Sequence, residues 1–202
     1  MRIAAIATLA VMAAGVAQAD ETAQPTERKV TVCMEGGSAF GVKLAQAIAS
    51  EMFAGIGVTV DWRKGPADCP PQGILIDLTD RTPADLRPGA FAYSTLEQQH
   101  IRLFYDRVAQ VRPKLLLPHL LAHVLVHEIT HVLEGTSRHS AQGVMKAQWT
   151  PDDRNSMMWK PLPFTSEDIH LIYLGLTARA GRSPSAVSTA GLRTARQPSS
   201  EP

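Results

Sequence analysis

The segment His127-Glu128-Ile129-Thr130-His131-Val132-Leu133-Glu134-Gly135-Thr136-Ser137-Arg138-His139, with Met145 six residues further on, sets the reading of this chain. Its first five residues have the form H-E-x-x-H. Histidines four apart on a helix stand one above the other on one face, so both imidazoles can reach a single ion. The carboxylate beside the first histidine points to the cleft side, where it can take the proton of an attacking water. A third ligand must come from beyond the helix. Gly135 can end the helix in a left-handed conformation and return the chain, which makes His139 the candidate. Two satisfied histidines on a buried helix would give the same five letters. The downstream histidine, the helical context and a leader for export distinguish this stretch from that reading.

The surrounding residues test the assignment. Residues 115–133 are apolar enough to suggest a membrane span, but four histidines and Glu128 inside them argue for a buried central helix. Its start lies near Pro113 or Pro118, either of which suits a first turn. His119 and His123 continue the histidine stripe at four-residue spacing. Helix rise puts His119 about 18 Å from His131, so one ion cannot hold both. His123, one turn above His127, reads as a packed residue or an outer partner of a ligand. Glu134 is the rival third ligand, although orienting a histidine suits it better because its side chain would have to reach back a full turn. Glu167 and Asp168 are remoter alternatives, explained equally well as first-turn carboxylates on a helix dipole.

Residues 1–19 follow a different logic. Arg2, the apolar run from Ile3 to Val16 and Ala17-Gln18-Ala19 before Asp20 make a secretory signal peptide. The apolar run is too short to span a bilayer, and no cysteine at the cleavage point supports a lipid anchor. Domain 20–177 is then expected to carry one core, and residues 178–202 to form a disordered tail of Ala, Arg, Ser, Gly, Thr and Pro. Without Arg2 the chain has 19 basic and 19 acidic residues, a balance that points away from nucleic acid and anionic membranes. A secreted or periplasmic monomer acting on a peptide or protein is the expectation. In an oxidising compartment Cys33 and Cys69 are expected to form a disulfide, since they lack metal-ligand spacing.

Periodicity orders the rest. Residues 29–35 read as a strand, and a helix follows, capped by Ser38 and stopped by Gly55, with Leu44, Ile48, Met52 and Ala45, Ala49, Phe53 recurring at helical spacing. Residues 57–63, 73–79, 90–94 and 100–108 read as strands, with a Pro-rich loop at 65–72. After the long helix comes an irregular segment. A last helix starts near Thr165, where Thr165 and Asp168 form a capping box and Phe164 can staple onto Ile169, and it ends at Gly175. The class is α+β, a twisted mixed sheet with a helix carrying the site.

Gly143-Val144-Met145 now takes on meaning. Six residues after a candidate ligand, Met145 resembles the Met-turn of metzincins. Together with H-E-x-x-H, and with the run Phe164-Thr165-Ser166-Glu167-Asp168-Ile169 through Ile172-Tyr173-Leu174-Gly175, the chain resembles a compact secreted zinc metalloprotease of the metzincin type, nearest to matrixin-like bacterial forms. The resemblance implies a zincin fold with an active-site helix, Met-turn and C-terminal helix. It implies Zn2+ held by His127, His131 and His139, Glu128 as general base, hydrolysis of peptide bonds, and an edge strand at 90–94 that pairs with an extended peptide.

The chain departs from the family pattern. Metzincins read H-E-x-x-H-x-x-G-x-x-H, whereas three residues here precede and three follow Gly135, so the third ligand comes two positions late. No tyrosine closely follows Met145, which leaves the oxyanion donor open, with Arg138 and Arg154 as candidates. Trp149, Met157, Met158 and Trp159 either wall a substrate pocket or pack the lower half of the domain. Two other readings follow from these departures: a catalytically degenerate zinc protein that binds a partner, and a zinc hydrolase outside the metzincins with a carboxylate as third ligand.

Overall fold

The computed structural model describes residues 28–36, 39–84, 86 and 88–182; the expected leader, Ser38 and the tail from residue 183 lie outside them. β1 (Arg28–Glu35) buries Val30, Val32, Cys33 and Met34, an almost continuous apolar run of the kind that a strand covered on both faces needs. It pairs in parallel with β2 (Val58–Lys64) on one side and β3 (Ile74–Thr79) on the other. β3 pairs in parallel with β5 (His100–Phe104), and β4 (Ala92–Thr95) runs antiparallel to β5 at the sheet edge. The spatial order is β2-β1-β3-β5-β4. This is the mixed sheet expected of the α+β class.

α1 (Val42–Ala54) carries the crossover from β1 to β2. Its buried face is Val42, Ala45, Ile48, Ala49, Met52 and Phe53; Leu44, included in the periodic reading, is 52% exposed. The strand expected over 100–108 stops at Phe104, and Tyr105–Ala109 forms a short helix, α2. Asp106 there accepts from the Thr82 amide and hydroxyl, and the Tyr105 hydroxyl donates to the Phe40 carbonyl. These long-range bonds favour the turn over continued pairing. Tyr105-Asp106-Arg107-Val108 is too short for its periodicity to distinguish strand from helix by itself.

α3 (Leu116–Glu134) is the centre of the molecule: every residue except His119 and Glu134 is buried. It packs on α1, on the last helix and on β4, so its membrane-compatible length and hydropathy serve a protein core. Each fully buried leucine along it contributes about 1.5–3 kcal/mol. Pro118 falls at its third residue, where a missing N–H leaves no helical bond unmade. The segment expected to be irregular contains a one-turn helix, α4 (Pro151–Ser156), with its own Thr150–Asp153 capping box.

The last helix, α5 (Ser166–Ala180), begins at the Thr165–Asp168 capping box as the sequence indicates, and Phe164 stacks on Phe53 at 5.5 Å. It does not end at Gly175. A Cβ at Gly175 would lie 1.7 Å from the Leu133 carbonyl oxygen, so this glycine lets α5 cross the end of α3 at backbone contact. The first residues of the expected tail are therefore helical, and Arg179 donates to the Gln72 carbonyl. Cys33 and Cys69 are bonded, joining the middle of β1 to the end of the 3-10 turn Pro66–Asp68. Closing a loop of sequence separation 36 contributes about 4 kcal/mol on a chain-entropy basis.

Candidate metal centre

His127 and His131 lie one turn apart near the C-terminal end of α3, and both rings are buried. The Nδ1–H of His127 donates to the Val144 carbonyl at 2.9 Å, and that of His131 to the Thr136 carbonyl at 3.0 Å. Those partners fix the tautomers and leave each Nε2 with a lone pair. The two Nε2 atoms face each other at 3.0 Å. Burial pushes the pKa of His127 down to about 4 and lowers that of His131, so both rings are neutral at neutral pH. Two lone pairs at this distance have no proton to share. A cation between them satisfies both, which is the donor chemistry a zinc site requires.

The third histidine arrives by a different route. α3 ends at Gly135, whose left-handed conformation (φ 66°, ψ 25°) turns the chain back, and the Gly135 and Thr136 amides both donate to the His131 carbonyl. The turn brings the His139 ring centroid to 4.9 Å from His131 and 5.2 Å from His127. One ligand atom from each of the three imidazoles lies within 4.8 Å of the other two, and together they could hold a metal. Ser140 donates its amide to the Met145 carbonyl, and Val144, whose carbonyl holds His127, donates its own amide to Pro163. The segment around Val144 thus braces the first histidine through its backbone.

Among the described residues Glu134 makes no hydrogen bond to a histidine. Its buried carboxylate lies 3.7 Å from the Arg138 guanidinium, and burial, opposed by Arg138 and reinforced by Asp168 and Glu167, pushes its pKa up to about 7. Arg138, expected near the oxyanion, instead reaches Asp168 at 2.7 Å and Glu167 at 3.4 Å on α5. Asp168 is more than a first-turn carboxylate: it also accepts from the Ser140 hydroxyl at 2.6 Å. His123 donates from Nδ1 to the His119 carbonyl of its own helix and accepts from the Leu162 amide at Nε2, so one nitrogen is held within α3 and the other holds the loop before α5.

Glu128 is 8% exposed and lines a cleft of 490 Å³ together with His127 and His139. Burial raises its pKa to about 7, opposed by a hydrogen bond with the Ser94 side chain of β4. The edge strand forms one wall, where Phe91 and Ala92 line the cleft; Trp149, Lys146 and Arg154 line it too. Lys146 is tied to Asp153 at 2.5 Å, whereas Arg154 makes no ion pair among the described residues. The aromatic–methionine cluster divides. Trp149 stands edge-on to His127 at 5.6 Å, Met157 is core, and Trp159 is 83% exposed.

No family model and no curated protein matches this chain. Among solved structures it is similar to archaemetzincin from Methanopyrus kandleri, at 14% identity, with a TM-score of 0.53 over 77% of this chain and 99% of that one. The fold is metzincin-like. At that identity the likeness is one of architecture, and it agrees with the α+β arrangement of mixed sheet, central helix and closing helix.

Some of the site was not named from sequence. Thr136 and Val144 act through backbone carbonyls, which carry no residue signature. Ser94 meets Glu128 only because β4 is laid against α3. Trp149 stands out in the sequence, but its place beside His127 depends on the loop that follows Met145 and on its indole N–H donating to the Val144 carbonyl.

Proposed function

We propose that this protein is an exported zinc-dependent metallopeptidase of the metzincin type, with His127, His131 and His139 holding the zinc and Glu128 as general base. The observation that carries the reading is the convergence of three imidazoles, two of which present unshared Nε2 lone pairs 3.0 Å apart. Among the described residues no fourth His, Cys, Asp or Glu joins the three, which would leave a zinc held there a position for water or substrate, as a catalytic site needs. Zinc held there supplies Lewis acidity for the carbonyl and the attacking water.

The chain's own groups supply the rest. Glu128 sits next to the first histidine inside the cleft, and a pKa near neutrality suits a carboxylate that takes a proton from water and returns it to the leaving amine. β4 offers its free edge along the cleft, where an extended peptide can add as a further strand. Ser94 on that strand restrains the Glu128 carboxylate. The leader sequence and the Cys33–Cys69 bond support export. Arg154 is the cationic side chain on the wall left to meet a developing negative charge.

Glu128→Gln tests the reading against a pool of quenched-fluorescence peptides. The zinc-loaded wild type cleaves them. The variant keeps its zinc and loses about 10²–10⁴-fold in rate, the usual worth of a general base. Equal turnover by the variant would refute the role of Glu128.

A further inference from the structure

His127 and His131 are each pinned through a ring nitrogen, but the ring of His139 has no hydrogen bond among the described residues and is exposed. Something else must hold it in place. Seven residues separate His131 from His139, and a freely moving arm of that length would present its imidazole for only part of the time. Apparent affinity falls in proportion to that fraction.

The residues on either side of His139 are both held by one carboxylate. Asp168 Oδ1 accepts from Arg138 Nη2 at 2.7 Å and from Ser140 Oγ at 2.6 Å, and Arg138 Nη1 donates to Ser140 Oγ at 3.1 Å. The other oxygen, Oδ2, accepts from the Thr165 amide at 2.8 Å, and the Asp168 amide donates back to the Thr165 hydroxyl. Asp168 is fully buried, fixed at the start of α5 by its capping box. Ser140 is tied on its far side to Met145. We propose that Asp168 is a positioning residue for the metal: by gripping Arg138 and Ser140 it sets His139 in place and compensates for the lengthened spacing of the motif. The inference rests on the zinc reading above and deepens it. Charge-assisted bonds are about twice as strong as neutral ones, and here they converge on a carboxylate that is itself fully buried.

The test is a double-mutant cycle on full-length mature protein, with zinc affinity measured by chelator competition and the ligand field read from the visible spectrum of the cobalt-substituted form. Asp168→Asn weakens zinc binding by roughly 10–100-fold, the range known for outer partners of metal ligands, and alters the cobalt spectrum. In a His139→Ala background the same change costs nothing further, because the residue it acts through is gone. Ser140→Ala, which removes one arm and leaves the cap of α5 intact, weakens zinc in the same direction by less, and decides the matter if Asp168→Asn fails to fold. An undiminished effect of Asp168→Asn or Ser140→Ala in the His139→Ala background would overturn the inference. So would unchanged affinity and spectrum in the single variants while the wild type binds one zinc. A wild type that binds no zinc would instead overturn the functional reading, and the inference with it.

Discussion

The two halves of the candidate metal centre are built on different principles. His127 and His131 belong to one buried helix, so their spacing is set by helical geometry and each ring is fixed by a nearby carbonyl. His139 stands on a returning loop, exposed, with its neighbours held from another helix. The first half takes its spacing from one helix, with a carbonyl five residues away holding His131 and one seventeen residues away holding His127. The second depends on contacts spanning about thirty residues of sequence. On the proposal above, tertiary bonds rather than chain geometry determine where the loop-borne imidazole ends up.

The contrast is sharpest when ligands are removed one at a time. His127→Ala or His131→Ala takes away half of the preformed pair, and zinc affinity falls by more than about a hundredfold, beyond what outer partners are worth. His139→Ala leaves that pair intact, so it retains measurable zinc while losing peptidase activity. Isothermal titration with zinc of the three variants separates these outcomes. Equal residual affinity in all three would show that the halves are equivalent and break the comparison.

A smaller effect is expected in the polar cluster behind the loop. Glu134 is a buried carboxyl facing Asp168 and Glu167, with Arg138 as its one cation, and its pKa lies near 7 instead of 4.5. A carboxyl whose folded pKa is raised takes up a proton on folding. Its contribution to stability is complete below pH 4.5 and is lost as pH rises through about 7. Glu134→Gln removes that dependence. Chemical denaturation of the metal-free variant and wild type from pH 4.5 to 7 should show the variant gaining relative stability as pH rises. A constant difference across the window would mean that Glu134 is ionised throughout.

The parts of this molecule legible in sequence are those governed by local repetition. Four-residue spacing announced His127 and His131. The S/T-x-x-D/E pattern at Thr165 marked the start of α5, and alternation marked the strands close to their ends. Residues whose role depends on a distant partner were misread or missed. Gly175 looks like a helix stop because glycine usually is one, but its task is to let the Leu133 carbonyl approach. Residues 105–108 follow β5 with no turn signal between them, and Asp106 draws them into a helix through Thr82. Arg138 looks like an oxyanion donor, and Glu134 like a ligand or a histidine's partner, because they adjoin the ligands in sequence. Only the placement of α5 reveals that they face away, toward Asp168.

The central claim is that three imidazoles, not two, meet at one ion. X-ray absorption at the zinc edge of the stoichiometrically loaded wild type tests it most directly. The account predicts three imidazole nitrogens at about 2.0–2.1 Å with one further light-atom ligand, and a clean drop to two imidazoles in His139→Ala. A wild-type spectrum fitted by two imidazoles, or one unchanged by His139→Ala, would contradict it.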